Sequence, residues 1–260
     1  MAITQISPRD LDLETYPAAH GSGPRPGVLV LPGGGFREHT RHDGEGYARW
    51  LSRLGMHAVV LNYRLRPDPF PRAIAEARAA LGMVRAGLGG MAVDSSRVGV
   101  IGSSAGGLLA GLLATGAVLS VETGNDQFED ERPPRPSFHI QSYGLADLDL
   151  LPESAVANLL GERADLKDEL SPARWVDART SPTFVWATAH DPPGLPNALE
   201  WARVLSEHEV PVELHVYPQG WHGVGLADGV AYGPHGHESI PNTARWTEAC
   251  EQWLRHRAIL

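Results

Sequence analysis

The sequence is poor in cysteine and in basic residues. Its single cysteine, Cys250, cannot form an internal disulfide, so the fold does not depend on an oxidising compartment. The 22 Lys and Arg residues are outnumbered by 31 Asp and Glu residues, which gives a net charge of −9 at pH 7. This acidic balance, without any patch rich in Lys or Arg, predicts no nucleic-acid partner and no binding to an anionic membrane surface.

The sequence also lacks an apolar run that indicates a membrane span. Residues 98 to 119 carry no charge, but they include six glycines and two adjacent serines. A strand, a turn and a buried helix explain this composition better than a bilayer-spanning helix does. The first ten residues have neither the charged region nor the apolar region of a signal peptide. We therefore expect a cytoplasmic protein.

Predicted strands and helices alternate along the chain. The predicted strands are 26–31, 57–63, 98–101, 138–143, 183–188 and 212–217, and the predicted helices are 46–54, 71–87, 107–114, 197–208 and 243–257. This alternation is typical of an α/β protein with a mostly parallel, twisted sheet and helices on both faces. In such a sheet the ligand binds beyond the carboxyl ends of the strands.

We expect one domain over residues 1–260, since this length suits a single large α/β core. Residues 151–182 interrupt the alternation and are predicted to form a small, partly helical cap. Residues 225–241 are predicted to form a long lid loop, and 123–136 an exposed acidic loop. The first 25 residues show little strand signal, so we expect the earliest strands of larger relatives to be absent.

The most informative motif is Gly-x-Ser-x-Gly at residues 102–106. It follows a strand rich in β-branched residues and precedes an apolar helix, which is the context of a serine on a sharp strand-to-helix turn. Small residues are needed beside this turn so that the strand and the helix can approach closely, and Gly102 and Gly106 meet that need. The helix directs its positive N-terminal end at the turn. Ser104 is therefore predicted to be a nucleophile.

The chain resembles α/β-hydrolase esterases, in the branch of acetyl-xylan- and feruloyl-esterase-like proteins. The resemblance covers roughly residues 26–226, with the motifs in the order of the family. It implies the α/β-hydrolase fold and hydrolysis of short acyl esters. The matching segments are 31–36, 45–46, 63–65, 97–100, 102–107, 181–184, 188–191, 212–217 and 220–223.

A serine nucleophile needs a base, and the base needs a carboxylate that orients it. In this fold the three residues occur in the order Ser, acid, His. His222 lies in a glycine-flanked loop directly after the last long strand, so it is the predicted base. Asp191 follows the strand that ends at Thr188, where the family places its acid. Asp147 and Asp149, after the preceding strand, are the alternatives.

The glycine triplet 33–35 follows the first clear core strand. Glycines let a backbone approach a substrate and turn its N–H groups toward a developing oxyanion. The resemblance implies that Gly34 and Gly35 donate hydrogen bonds together with the N–H group of Ala105. The common family motif begins with histidine, whereas this chain has Pro32.

Phe36, Ser103 and Trp221 are predicted to contact the substrate. Trp221 stands where relatives commonly have a small residue, and three interpretations are open: it narrows the acyl pocket, stacks on a sugar ring, or packs in the core. His235, His237 and Glu238 form a short run that could hold a metal, but no second group of ligands supports this. We therefore predict no metal and no cofactor.

The sequence predicts a serine carboxylic-ester hydrolase that acts through an acyl-enzyme on short acyl esters, with acetylated sugars as one candidate substrate. A peptidase or a formamidase of the same fold would share the triad. A binding module built on the hydrolase scaffold is the alternative from a different class, although such modules typically lose the serine or the histidine. A small-molecule ester is the expected partner, and a homo-oligomer is compatible with the sequence.

Overall fold

One seven-stranded sheet organises the chain in the computed structural model, which describes residues 8–67, 69–120, 133–234 and 238–260. The strand order is β1-β3-β2-β4-β5-β6-β7. Strand β1 pairs antiparallel with β3, and the other neighbouring strands pair in parallel. The strands are β1 Leu13–Tyr16, β2 Arg25–Leu31, β3 His57–Leu61, β4 Val93–Ser103, β5 His139–Ser142, β6 Thr183–Thr188 and β7 Val212–Tyr217.

Seven α-helices connect or flank the strands in the described residues. They are α1 Tyr47–Arg53, α2 Arg72–Arg85, α3 Ser104–Thr115, α4 Glu153–Leu160, α5 Gly194–Glu207, α6 Pro241–Ala244 and α7 Trp246–His256. A π-helical turn, His42–Gly46, leads into α1. Short 3-10 turns lie at Pro8–Asp10, Leu88–Gly90, Leu148–Leu150, Gly161–Leu166 and Pro172–Trp175.

Both faces of the sheet are covered, as alternate residues of β2 show. Leu29 and Leu31 belong to one buried cluster together with apolar residues of α2 and α3. Val28 and Val30 belong to a second cluster with residues of α1 and α7. Since successive side chains of a strand point to opposite faces, these helices lie on opposite sides of the sheet. The predicted mostly parallel α/β sheet with helices on both faces is confirmed.

The N-terminal segment corrects one expectation. The first 25 residues show little strand signal and no strand is predicted among them, but Leu13–Tyr16 forms β1 at the antiparallel edge of the sheet, opposite Ala58–Leu61 of β3. This strand has only four residues and none of them is fully buried. Its apolar signal is therefore weak, and the pairing with β3 decides its conformation.

The segment predicted to be a cap, 151–182, contains α4 and two 3-10 turns. Buried leucines of this segment, including Leu160 and Leu170, join the same cluster as Leu108 and Leu109 of α3. The Arg37 guanidinium also donates a 3.1 Å hydrogen bond to the Asn158 side chain, which links α4 to the loop after the glycine triplet. The assignment of this segment as a cap stays a prediction.

The segment predicted to be a lid, 225–241, is described except for residues 235–237. Leu226 and Ala227 are buried, and Asp228 pairs with Ser239 in an isolated bridge. Its action as a lid stays a prediction. Most of the predicted acidic loop, 123–136, lies outside the described residues.

Across the described ranges, no helix has both the length and the apolar character that crossing a membrane requires.

The contact between α3 and β2 leads to a stability prediction. A Cβ atom at Gly106 would lie 2.1 Å from the carbonyl oxygen of Leu31, so Gly106→Ala should force the helix from the sheet and lower the free energy of unfolding by about 3 kcal/mol. Gly82 is exposed in α2 with no atom within 4 Å of such a Cβ. Gly82→Ala, the matched control, should raise stability by about 0.5–1 kcal/mol. Urea denaturation measures both, and equal effects of the two substitutions would contradict this packing.

A buried histidine leads to a prediction about acid stability. Burial lowers the pKa of His139 from 6.5 to about 3. Below pH 6.5 the unfolded chain binds a proton at His139, whereas the folded chain does not bind one until the pH approaches 3. The stability that depends on neutral His139 is therefore complete above pH 6.5 and is lost as the pH falls toward 3. Between pH 7.5 and 5.0 the wild type should lose about 2 kcal/mol more stability than His139→Gln does. Urea denaturation at the two pH values tests this, and equal losses would show that His139 does not control the acid response.

Candidate active site

Ser104 lies on a sharp turn between β4 and α3. Strand β4 ends at Ser103 and helix α3 begins at Ser104. Ser104 has a φ of 50°, in the left-handed region that a residue with a side chain seldom adopts. A Cβ atom at Gly102 would lie 2.4 Å from the carbonyl oxygen of Gly106. The predicted need for a small residue between strand and helix is therefore confirmed at Gly102, whereas Gly106 has to be small because it lies against β2.

Three side chains form a continuous line of hydrogen bonds at the carboxyl edge of the sheet. His222 Nε2 lies 2.7 Å from Ser104 Oγ. The other ring nitrogen, Nδ1, lies 2.9 Å from each carboxylate oxygen of Asp191. A carboxylate only accepts hydrogen bonds, so Nδ1 carries the proton and Nε2 is free to accept from the serine. This arrangement is what a serine nucleophile requires.

Asp191 is held by the first turn of α5. It lies between β6 and α5, and its side chain is fully buried. The N–H group of Gly194 donates a 2.7 Å hydrogen bond to Asp191 Oδ1, and the positive end of the helix stabilises the carboxylate further. A Cβ atom at Gly194 would lie 2.2 Å from Asp191 Oδ2. The carboxylate can therefore approach the helix so closely only because this residue is glycine.

The two alternative acids, Asp147 and Asp149, form hydrogen bonds and ion pairs with residues other than His222. Asp147 accepts a hydrogen bond from the N–H group of Asp149 and so begins a 3-10 turn. Asp149 pairs with Lys167 and Arg174. Neither has a hydrogen bond to His222 among the described contacts. Of the three carboxylates considered, the structure brings Asp191 to the histidine.

The loop that carries His222 depends on glycines and on two anchors. Gly220, Gly223 and Gly225 all have positive φ angles, which give the loop its tight path after β7. The Thr243 hydroxyl donates to the carbonyl of Gln219 at 2.6 Å. The Trp246 indole donates to the carbonyl of Gly225 at 3.1 Å. The imidazole is therefore presented by a loop that is anchored on both sides.

The glycine triplet lies beside Ser104. Gly34 has a φ of 123°, and a Cβ atom there would lie 2.1 Å from the carbonyl oxygen of Glu38, so this tight turn requires glycine. Gly34 and Gly35 line the same cavity as Ser104. Ala105 is the second residue of α3, where backbone N–H groups have no partner within the helix. Of the three residues predicted to form an oxyanion hole, two thus share the cavity with Ser104 and the third directly follows it in the chain.

A cavity of about 430 Å³ opens above the serine. Its described lining contains no Lys or Arg. Trp221 is 49% exposed and contributes one wall, which argues against the interpretation that it packs in the core. The lining residues are Gly34, Gly35, Thr40, His42, Asp43, Ser104, Trp221, His222, Gly223 and Glu238.

Two of the residues predicted to contact substrate are buried behind this cavity. Phe36 has no exposed area and packs edge-to-face on Tyr63 and Phe70. Ser103 also has no exposed area. Neither belongs to the lining, because Phe36 turns into the core and Ser103 is the last, buried residue of β4. Any effect they have on a ligand is therefore indirect.

Sequence reasoning missed a buried polar group behind the site. Asp43 is 2% exposed and accepts hydrogen bonds from Gly33, Thr40 and Tyr143. Tyr47 approaches the Tyr143 hydroxyl at 3.2 Å. No spacing in the sequence relates these residues, since Asp43 and Tyr143 are 100 positions apart. The sequence shows only that a carboxylate follows the glycine triplet a few positions later.

The sequence offered three residues as possible metal ligands, namely His235, His237 and Glu238. His235 and His237 lie outside the described residues, and Glu238 lines the cavity. In the part of the chain that the structure describes, no group of three potential ligands is close enough to hold a metal ion.

Replacing the carboxylate behind His222 should slow catalysis. Asp191→Asn keeps the shape of the side chain but favours the wrong tautomer of the imidazole, and we expect kcat to fall by roughly 10⁴-fold. Asp149→Asn, at an exposed ion pair, is the matched control and should leave kcat within about twofold. Hydrolysis of p-nitrophenyl acetate measures both. A larger effect at Asp149 would mean that the acid has been misassigned.

Comparisons with known proteins agree with this architecture. Residues 11–196 match the model of the BD-FAE family. An acetyl ester-xyloside bifunctional hydrolase from Caldicellulosiruptor lactoaceticus has 32% identity and a TM-score of 0.81 over 98% of this chain and 90% of that one.

Two curated relatives are longer proteins. The endo-1,4-β-xylanase B of Butyrivibrio fibrisolvens is 28% identical over 77% of this chain, and the acetylxylan esterase of Xylanibacter ruminicola is 24% identical over 79% of it. The match spans 33% of the first and 42% of the second. The fold and the extent of the family match lead to one conclusion: this chain belongs to the BD-FAE family.

Proposed function

We propose that this chain is a serine carboxylic-ester hydrolase with Ser104 as nucleophile, His222 as general base and acid, and Asp191 as the orienting carboxylate. The observation that carries the proposal is the unbroken line of hydrogen bonds from Ser104 Oγ through the imidazole to Asp191. A binding module has no need for a serine in a strained backbone conformation facing a base. The family membership supports the same activity.

The reaction has two halves. Ser104 Oγ attacks the ester carbonyl while His222 Nε2 takes its proton, and the resulting tetrahedral intermediate expels the alcohol, which receives that proton. An acyl group then remains on Ser104. Water, deprotonated by the same nitrogen, attacks this acyl-enzyme, and collapse of the second intermediate returns the proton to Ser104 and releases the acid.

Charge develops on the carbonyl oxygen in both halves. We propose that the N–H groups of Gly34, Gly35 and Ala105 stabilise it. Donors of this kind are effective because they are in place before the charge appears, and removing one typically costs about 10²- to 10³-fold in kcat. Asp191, buried beneath the imidazole, stabilises the imidazolium that forms at the same moment.

We propose short acyl esters of sugars as the substrate class. The cavity has an exposed indole at Trp221 and polar side chains at Thr40, His42 and Glu238. An aromatic face beside hydrogen-bonding groups suits a sugar ring, and the absence of Lys and Arg from the described lining favours a neutral alcohol over an anionic one. Two of the relatives are named an acetyl ester-xyloside bifunctional hydrolase and an acetylxylan esterase, and these names support the same class.

The predictions about cellular location and oligomeric state are based on the sequence alone. A cytoplasmic site and a homo-oligomeric state are both predictions.

Covalent labelling of the serine tests the nucleophile. A fluorophosphonate should add one adduct to the wild type, none to Ser104→Ala, and one to Ser206→Ala, whose substitution removes an exposed serine of α5. Intact-mass spectrometry reads all three. An unlabelled, folded wild type would overturn the triad assignment and favour a binding module.

Substrate preference is tested on the same preparation. Hydrolysis rates should be highest for p-nitrophenyl acetate and acetylated xylo-oligosaccharides and should fall toward p-nitrophenyl octanoate. Preference for the octanoate would exclude a short-acyl enzyme. Faster release of formate from N-formylkynurenine, or cleavage of a peptide amide, would replace the esterase by a formamidase or a peptidase.

A further inference from the structure

Asp43 is a buried carboxylate that no Lys or Arg neutralises in the described part of the chain. It lies in the π-helical turn before α1 and is 2% exposed. Its one described ion-pair neighbour is His42, whose Nε2 is 3.4 Å from Asp43 Oδ1. Burying a charge without an ionic partner is unfavourable unless hydrogen bonds replace its water shell. The position of Asp43 therefore calls for an explanation beyond the packing of the core.

Three donors satisfy the two oxygens of Asp43. Oδ2 accepts from the N–H group of Gly33 at 3.2 Å and from the Thr40 hydroxyl at 2.6 Å. Oδ1 accepts from the Tyr143 hydroxyl at 2.5 Å. Gly33 is the first residue of the glycine triplet, and a Cβ atom there would lie 2.7 Å from Asp43 Oδ2 and 3.3 Å from Ser104 Cβ. The carboxylate thus holds the start of the proposed oxyanion loop against the nucleophile.

Tyr143 extends the same connection to the base. Its hydroxyl accepts a 3.0 Å hydrogen bond from the N–H group of Gly225, three residues after His222. Its ring lies edge-on to the imidazole of His222, with centroids 5.4 Å apart. Burial and the charge of Asp43 raise the pKa of Tyr143, so the hydroxyl keeps the proton that it donates to Asp43. The two loops are joined through one hydroxyl and one carboxylate.

We propose that Asp43 and Tyr143 are positioning residues that fix the oxyanion loop relative to His222. The proposal rests on the proposed esterase activity. Stabilising a charge that develops during the reaction requires donors held within a fraction of an ångström. The glycine triplet has no side chains with which to hold itself. The connection Gly33–Asp43–Tyr143–Gly225 therefore supplies the constraint from outside the loop.

Asp43 and Tyr143 can each be replaced by a side chain of nearly the same shape, so their hydrogen bonds can be removed separately. Asp43→Asn replaces one oxygen by an NH2 group, which can only donate. If this group faces Gly33 and Thr40, the hydrogen bond from the Gly33 N–H group is lost, and if it faces Tyr143, the tyrosine hydroxyl must accept where it had donated. Tyr143→Phe keeps the ring on His222 but breaks the connection to Asp43 and Gly225. If the second variant folds where the first does not, it tests the proposal by itself.

The experiment compares Asp43→Asn, Tyr143→Phe and the double variant on p-nitrophenyl acetate, with folding checked by circular dichroism. We expect kcat to fall by roughly 10- to 100-fold while KM stays within about twofold, because the loop acts on the transition state. The inhibition constant of a trifluoromethyl ketone, which forms an oxyanion on the serine, should rise in parallel. The double variant should be little slower than the slower single variant, and its effect should be clearly smaller than the product of the single effects, since both break one connection.

Asp177→Asn is the matched control. Asp177 forms a paired hydrogen bond with Arg135 and has no part in the proposed site, so its loss should lower the Tm and leave kcat unchanged. An active wild type whose Asp43 and Tyr143 variants lose only Tm, like the control, would overturn this inference and leave the esterase assignment intact. A wild type that hydrolyses no ester and takes no fluorophosphonate would overturn the esterase assignment and this inference together.

Discussion

The close approach of α3 to β2 is the constraint on which the site depends. Helix α3 begins at the serine itself, and its first glycine, Gly106, lies against the carbonyl oxygens of Leu31 and Pro32. Because no side chain separates the two backbones, Ser104 and the glycine triplet that follows β2 lie side by side. The strained φ of Ser104 is tolerated because the strand, the helix and the fully buried leucines of α3 all fix the turn.

Loops at one edge of the sheet bring the other residues of the proposed site next to Ser104. Each loop is held by hydrogen bonds between a side chain and a backbone group: Asp191 by the first turn of α5, the His222 loop by Thr243 and Trp246, and the glycine triplet by Asp43. Loops fixed in this way cost little reorganisation when charge develops in the reaction. The polar atoms that hold them are buried, where a lost hydrogen bond is costly.

Much of the fold could be predicted because most strands contain apolar runs, and β6 and β7 each begin directly after a proline. The ranges 183–188 and 212–217 agree with the observed β6 and β7 at both ends. Strand β1 was missed because an exposed four-residue edge strand carries no such pattern, and its pairing with β3 is a tertiary contact. The burial of Phe36 was missed for a related reason: its side chain packs in the core, and its position in the sequence beside the glycine triplet does not reveal that.

The sequence by itself determined the alternation of strands and helices, the turn that carries Ser104, and the histidine proposed as its base. Each is a local pattern: apolar strand, glycine-flanked serine, polar residue just after a strand. Only the tertiary structure decided between Asp191 and the acids at 147 and 149, because that choice depends on which side chain reaches His222. Only the tertiary structure also revealed the connection from Gly33 through Asp43 and Tyr143 to Gly225, since hydrogen bonds between residues 100 positions apart form when the chain folds and leave no spacing in the sequence.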